Sequence, residues 1–468
     1  MVCRSFLAMF AVIATAFAIL SVVTLPGPAS ATTPFQTAVT SITVGAQPYA
    51  VAVSPDGSSV WVTNDVSGIS RINTITNAVT SITVGDQPFG VAASPDGSSV
   101  WVTNFNSDTV SRINTATNAV TAITVGTYPF GVAVSPDGSS VWVTNYGSDT
   151  VSRINTATNA VTSITVGTGP SRVAVSPDGS SVWVTNQNSG TVSRIDPVTN
   201  AVTAITVGTY PYSIAVSPDG SSVWVANNNS ASVSRIDPIT NTVTAITVGT
   251  YPAGVAVSPD GSSVWVTSNN TASVSRIDPI TNAVTATITV GNGPRLVAVS
   301  PDGSSVWVSN YGSGTVSRIN TTTNVATSIT VGSNPFGVAV SPDGSSVWVT
   351  NNGGTTVSRI IFPPQPPANI TATPGNAQAS ISWTAPTNTG GSPIIGYTAT
   401  ASAGGLSCTT TTATSCTISG LTNGTTYYVS VTATNAVGTS DPSVVSVTPT
   451  IETTTTTSSD LVAPAFTG

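Results

Sequence analysis

Residues 88–126 read PFGVAASPDGSSVWVTNFNSDTVSRINTATNAVTAITVG, and the alternation of apolar runs with turn residues in this stretch decides the fold. Four runs rich in β-branched residues, VAA, VWV, VSRI and VTAITV, are separated by clusters of Pro, Asp, Gly, Ser, Asn and Thr. Short runs of this kind, bounded by turn residues, are strands, so the stretch predicts one four-stranded antiparallel sheet. We label its strands A to D in chain order. The segment SPDG begins at Ser54, Ser94, Ser135, Ser176, Ser217, Ser258, Ser300 and Ser341, a spacing of 40 to 42 residues. Eight copies of one sheet-forming unit predict an array in which each sheet buries its faces against its neighbours.

The ends of the array are out of phase with the repeat. A lone D-type strand, TAVTSITVG, occupies residues 37–45, whereas the last copy stops after strand C at Ile360 and runs into Pro363 and Pro364. Eight A, B and C strands meet eight D strands only if the first strand completes the last sheet. The chain is therefore read as all-β, with an eight-bladed β-propeller over residues 37–361 whose N-terminal strand closes the last blade. Closure removes the exposed edges that an open array would present.

Composition limits the chemistry. Charged residues make up 6% of the chain; there is no histidine and no lysine, and the single glutamate is Glu452. General acid-base catalysis and nucleophile activation draw mainly on those residues, so the protein is read as a non-enzyme without a cofactor. Residues 1–31 contain Arg4, an apolar run from Phe6 to Val23, a Pro26-Gly27-Pro28 break and Ala29-Ser30-Ala31, which predicts a signal peptide cleaved after Ala31. The expected location is extracellular, free or wall-associated, with no membrane span after cleavage. Ten arginines against 18 acidic residues then leave a formal charge of −8, so no nucleic-acid partner is expected. Cys408 and Cys416 are close enough in an exported protein to predict one disulfide between neighbouring strands, and the pair offers too few ligands for a metal site.

Residues repeated in every blade are read as structural. Trp61, Trp101, Trp142, Trp183, Trp224, Trp265, Trp307 and Trp348 recur in strand B and predict blade-to-blade packing. The strand C arginines, Arg71 through Arg359, are expected to pack their stems between blades and offer the guanidinium to a carboxylate or a turn carbonyl. The SPDG aspartates, Asp56 through Asp343, sit in tight turns. The A–B and C–D turns hardly vary, and they share one face of the ring. The D–A links and B–C loops share the other, and they differ from blade to blade. That second face is read as a binding rim carrying Tyr49, Phe89, Phe130, Arg172, Tyr212, Arg295 and Phe336 at the channel mouth, with Asp65, Asp108 and Asp149 in the loops around it. Ser171 and Ala253 hold the same mouth position in their blades, and Asp86, Tyr128, Tyr146, Gln187, Tyr210, Tyr251 and Tyr311 lie nearby. Aromatic rings beside amides and carboxylates suit a glycan or a protein segment.

The repeats WVTNFNSDTVSRINTATNAV and PFGVAVSPDGSSVWVTN resemble the YVTN-type propellers of bacterial surface proteins, over residues 37–360. They also look like the streptogramin lyase propellers, a resemblance that implies catalysis by a histidine with acidic partners, and no position here supplies the histidine. Residues 362–450 resemble a bacterial fibronectin type III module through Trp383 in ASISWTAP, Tyr397 in IIGYTATA, Leu421 in ISGLTNGTTY, and Tyr427 where the tyrosine corner of such sandwiches falls. Residues 451–468, rich in threonine, are read as a disordered tail. Three functions stay open: a glycan- or protein-binding module, a lyase or metal-dependent hydrolase using Asp65, Asp108 and Asp149, and a self-associating envelope protein.

Overall fold

The computed structural model describes residues 36–66 and 68–451; the expected signal peptide, Glu452 and the tail beyond Ile451 lie outside the described residues. Each repeat forms one four-stranded antiparallel sheet with its strands in sequence order. Blade 3 is representative, with strands Pro129–Val134, Ser140–Asn145, Thr150–Asn155 and Val161–Thr165. The turns follow from their residues. In the A–B turn Asp137 Oδ1 accepts hydrogen bonds from Ser135 Oγ (2.5 Å) and Ser139 N (3.0 Å), and Gly138 takes φ 71°. In the C–D turn Asn155 Oδ1 accepts from the amides of Ala157 and Thr158, both at 3.0 Å. Short polar side chains that bond their own backbone in this way set such turns.

Strand B is buried on both faces because a blade lies on each side of it. Trp142, Val151 and Ile164 of blade 3 pack against Val182, Val184 and Ile195 of blade 4, and the same cluster recurs around the ring. Each side chain so buried contributes about 1.5–3 kcal/mol of apolar transfer. The strand C arginines span the same seam: Arg112 lies 5.1 Å over the Trp101 ring and donates from Nη1 to Thr156 O (2.6 Å) and Asn159 Oδ1 (3.0 Å) in the C–D turn of the next blade. Of the two expected acceptors, Arg112 uses the turn carbonyl, joined by an asparagine, and Arg71, Arg153, Arg194 and Arg276 do the same.

The first strand, Ala38–Thr43, pairs antiparallel with Thr356–Ile361 and completes the eighth sheet. Side chains of blade 8 also reach blade 1, as where Thr350 Oγ1 donates to Tyr49 O (2.8 Å) and Arg359 Nη1 donates to Asn77 Oδ1 (3.0 Å).

Residues 368–447 form a two-sheet sandwich. Along Tyr427–Asn435 the buried face is Tyr427, Val429, Val431 and Ala433, and Tyr427 Oη accepts from Thr422 N (3.0 Å), the expected corner. Cys408 and Cys416 are bonded. Their strands are successive in the chain but belong to opposite sheets, so the bridge ties the sandwich together across its edge rather than linking partners within one sheet. The sandwich sits against the turn face of the last blade. Phe362 packs on Trp307 (5.2 Å between ring centres) and its amide donates to Gly390 O (2.7 Å), while Arg359 Nη2 donates to Gly391 O (3.0 Å).

Candidate functional site

The face opposite the sandwich carries the D–A links and B–C loops. Each link is laced to the loop of its own blade by backbone bonds, as where Tyr146 N donates to Tyr128 O and Gly147 N to Thr127 O, both at 3.0 Å. A buried proline then starts strand A, and the strands A of neighbouring blades pack on one another around the ring, the last on the first. The residue after each proline reaches toward the axis.

These side chains do not stand apart. Phe336 stacks on Tyr49 (4.2 Å between ring centres), Tyr49 contacts Phe89 (3.9 Å), and Phe89 contacts Phe130 (4.1 Å). In blade 4 the mouth position is Ser171, buried beside Thr185 Oγ1 (3.0 Å), and Arg172 takes the space instead. Its guanidinium lies 5.0 Å from the Phe130 ring centre and 5.4 Å from that of Tyr212, and Nη2 donates to Tyr212 Oη at 3.4 Å. Arg295 of blade 7 lies 5.3 Å over Tyr311, whose ring meets Phe336 edge-on at 6.4 Å. The residues expected to ring the channel mouth thus form a packed arc of rings and guanidinium groups there, and Phe336 is buried within it. Blade 6 contributes the small, buried Ala253 at this position.

The arc is electrostatically uneven. Burial, and then the neighbouring Tyr212, push the Tyr49 phenol well above its ordinary range. Burial also pushes Tyr212 up, but Arg172 beside it, with a smaller pull from Arg295, prevails and leaves Tyr212 the more acidic phenol. Burial pulls Arg172 down, the two phenols outweigh it, and the guanidinium is held more firmly protonated.

Residues 36–245 match the Virginiamycin B lyase family, and residues 364–449 match the fibronectin type III domain. The propeller is thus similar to that family over residues 36–245, and the C-terminal sandwich is similar to a fibronectin type III domain. The virginiamycin B lyase of Staphylococcus aureus is 17% identical over 69% of this chain and 99% of its own, with a TM-score of 0.52. A catalytically inactive histidine-to-alanine form of that enzyme with quinupristin is 18% identical over the same shares, at 0.50. A chain of the hydrazine synthase of Kuenenia stuttgartiensis is 25% identical over 60% of this chain and 97% of its own, at 0.51. No curated protein matches the chain.

On this propeller the rim aspartates have a different part from the aromatic residues. Asp108 and Asp149 take φ 54° and 55°, and their carboxylates accept from Tyr128 N and Gly169 N at 2.9 Å, bracing the link to the following blade. Asp65 lies in the B–C loop of blade 1, its amide bonded to Gln47 O. Among the described residues no three acidic, cysteine or histidine side chains converge to hold a metal, so the convergence of Asp65, Asp108 and Asp149 that a metal-dependent hydrolase requires is not seen.

The rings that do reach solvent are Tyr128, Tyr210 and Tyr251, 47%, 36% and 48% exposed. Each sits just before a link proline with φ between 54° and 56°. Phe105, half-buried and stacked on Tyr128 at 4.9 Å, extends the arc outward. Sequence reasoning passed over Phe105, although it occupies the loop position that Tyr146 and Tyr311 hold in their blades. The amide nitrogens of Asn228, Asn269 and Asn352 donate to proline carbonyls of the next link (3.0, 3.4 and 3.3 Å), leaving each side-chain oxygen as an acceptor at the rim.

Proposed function

We propose that the protein is an exported, non-catalytic binding protein whose rim grips a glycan, with the fibronectin type III domain holding the opposite face. The observation that carries this reading is the backbone of the three exposed tyrosines. The left-handed region costs an ordinary L-residue roughly 1–2 kcal/mol and a bulky one is uncommon there. Gly169 and Gly293 fill the same position in blades 4 and 7 without that cost. Tyr128, Tyr210 and Tyr251 therefore hold exposed rings where glycine would be more stable, and retained strain of this kind clusters at ligand sites. Flat rings for stacking beside a row of amide oxygens suit a polyhydroxylated ligand, whose C–H faces pack on aromatics while its hydroxyls donate.

The lyase activity of the S. aureus relative is not carried over. That enzyme is inactive when one histidine becomes alanine, and this chain contains no histidine.

Isothermal titration of residues 32–468 with purified α- and β-linked hexasaccharides, neutral and acidic, tests the reading. At least one class should bind saturably. Combining Tyr210→Gly with Tyr251→Gly should weaken it about tenfold or more while leaving the urea midpoint unchanged or higher. Absence of binding to every class, or binding indifferent to the two glycines, refutes it.

A further inference from the structure

Seven blades join strand C to strand D by a turn, and blade 8 does not. Its strand C, Thr356–Ile361, pairs with the strand that begins the described fold, so no turn ties Ile361 to its partner Ala38. A strand end with no turn to close it is free to fray. The turn has two further jobs in other blades. It bonds the A–B turn of its own blade, as where Thr115 Oγ1 donates to Gly97 O (2.7 Å) and Thr156 Oγ1 to Gly138 O (2.8 Å), and it receives the strand C arginine of the preceding blade.

In blade 8 the sandwich occupies this place. Its loop 388–391 lies on the A–B turn: a Cβ on Gly344 would stand 3.3 Å from Asn388 Nδ2, and one on Gly391 would stand 2.7 Å from Ser345 O and 2.6 Å from Ile361 Cγ2. Ser345 is buried, whereas its counterpart is exposed in each of the other seven blades. The loop is itself braced. Asn435, 2% exposed, donates from Nδ2 to Phe362 O (2.7 Å) and Thr389 O (2.8 Å), and Phe362 N donates to Gly390 O (2.7 Å). Arg359 completes the substitution. Its Nη1 keeps the asparagine of the next blade, Asn77, but its second acceptor is Gly391 O, reached from Nη2 at 3.0 Å, where Arg71, Arg112 and Arg276 use a turn carbonyl. One guanidinium thus joins blade 8, blade 1 and the sandwich.

We infer that the sandwich is the clasp of the ring: its loop 388–391 replaces the C–D turn that blade 8 lacks and caps the open end of the closing strand pair. The domain is then a working part of the propeller, whatever the rim binds. The clasp acts at the turn face, since the rim end of the same joint has its own tie from Thr350 Oγ1 to Tyr49 O (2.8 Å).

Hydrogen exchange of residues 32–468, read by mass spectrometry, tests this because it reports local opening. Gly391→Val unseats the loop and Asn435→Ala removes its brace, so the two are combined. In the double variant the amides of residues 38–40 and 359–361 should exchange about tenfold faster or more, the worth of one or two hydrogen bonds. Residues 42–44, at the rim end, should change less, and residues 161–163, at the matching position of blade 3, should not change. Asn435 Oδ1 also accepts from the amides of Val437 and Gly438, so the variant can unfold the sandwich, which exchange at residues 429–433 reports. The same gradient is expected whether the sandwich is displaced or unfolded. Unchanged exchange at residues 38–40 and 359–361 overturns the clasp, and so does an equal increase in blade 3, which would make the sandwich a support of the whole ring.

Discussion

Replacing Ile42 by alanine measures how firmly the ring is closed. Ile42 lies on the first strand opposite Val357 and packs with Val60, Val62 and Ile72 of blade 1 and Trp348 of blade 8. Its counterpart in blade 2 is Ile123, opposite Val110 and packed with Trp101, Val141, Val143 and Ile154. Both are 6% exposed, so the two sites differ in one respect: Ile123 is on a strand tied into the chain at both ends, and Ile42 is on the strand that begins the described fold. Each substitution deletes three carbons, about 2.4 kcal/mol of transfer at about 0.8 kcal/mol per methylene. The cavity left behind brings the cost to about 2–5 kcal/mol. If closure is as tight as any internal pairing, urea unfolding followed by tryptophan fluorescence and by circular dichroism should give losses within about 1 kcal/mol of each other, with coincident transitions. A strand that peels away before the ring opens limits the loss to its own cost of detachment. A loss below about 1 kcal/mol for Ile42→Ala beside a full loss for Ile123→Ala would refute the closed ring as one cooperative unit.

Acid should unfold the propeller over a defined window. The Asp137, Asp219 and Asp260 carboxyls are held down at about 2, first by the hydroxyl of the serine two residues before and then by the amide two residues after, so their bonds stabilise the fold above about pH 4 and are lost as the pH falls toward 2. The urea midpoint should be level down to about pH 4 and then fall; a level midpoint at pH 2 would remove the turn aspartates from the stability argument. Gly391 has φ 82°, and a Cβ there would stand 2.6 Å from Ile361 Cγ2 and 2.7 Å from Ser345 O, so Gly391→Val should free the sandwich from the propeller at a cost of about 1–3 kcal/mol. Proteolysis between Phe362 and Pro367 should accelerate, and unchanged resistance would show that the junction tolerates the side chain. Reducing the Cys408–Cys416 bridge should lower the sandwich by about 2–3 kcal/mol and leave the propeller transition in place, which calorimetry resolves.

The fold was legible because its determinants are local and repeated. SPDG, the strand B tryptophan and the strand C arginine each recur with a fixed spacing, and the unpaired strand at residues 37–45 announced the closure. The direction of the disulfide was not legible, since two cysteines on successive strands give the same spacing whether the strands share a sheet or cap two. The site was legible only as a set of residues. Tyr49, Phe89, Phe130 and Phe336 could be placed at one mouth from their register, but whether they stood apart or packed depended on the width of an eight-bladed channel. Asp108 and Asp149 looked like ligand groups because nothing in the sequence shows that their carboxylates face the amides of the following link.

Variation alone is a weak pointer to function here, and the structure shows why. On the turn face a change in one blade breaks two: Asn159 shapes its own turn and receives Arg112 from the preceding blade. Such coupling enforces uniformity. On the rim, the joints between blades run through backbone carbonyls, as where Thr63 Oγ1 donates to Phe89 O (3.0 Å) and Thr103 Oγ1 to Phe130 O (2.9 Å). Those carbonyls are present whatever side chain follows, so outside the packed arc of rings the rim residues can differ at little structural cost and their divergence needs no ligand. Relaxed constraint has a direction, however. It should move left-handed positions toward glycine and asparagine, as at Gly169, Gly293 and Asn334. The tyrosines at 128, 210 and 251 run against that direction, as do Gln47 and Gln87 in blades 1 and 2, and only the tyrosines add exposed rings. The functional reading therefore stands on the residues that cost the fold something, and the rest of the rim can be exchanged without touching it.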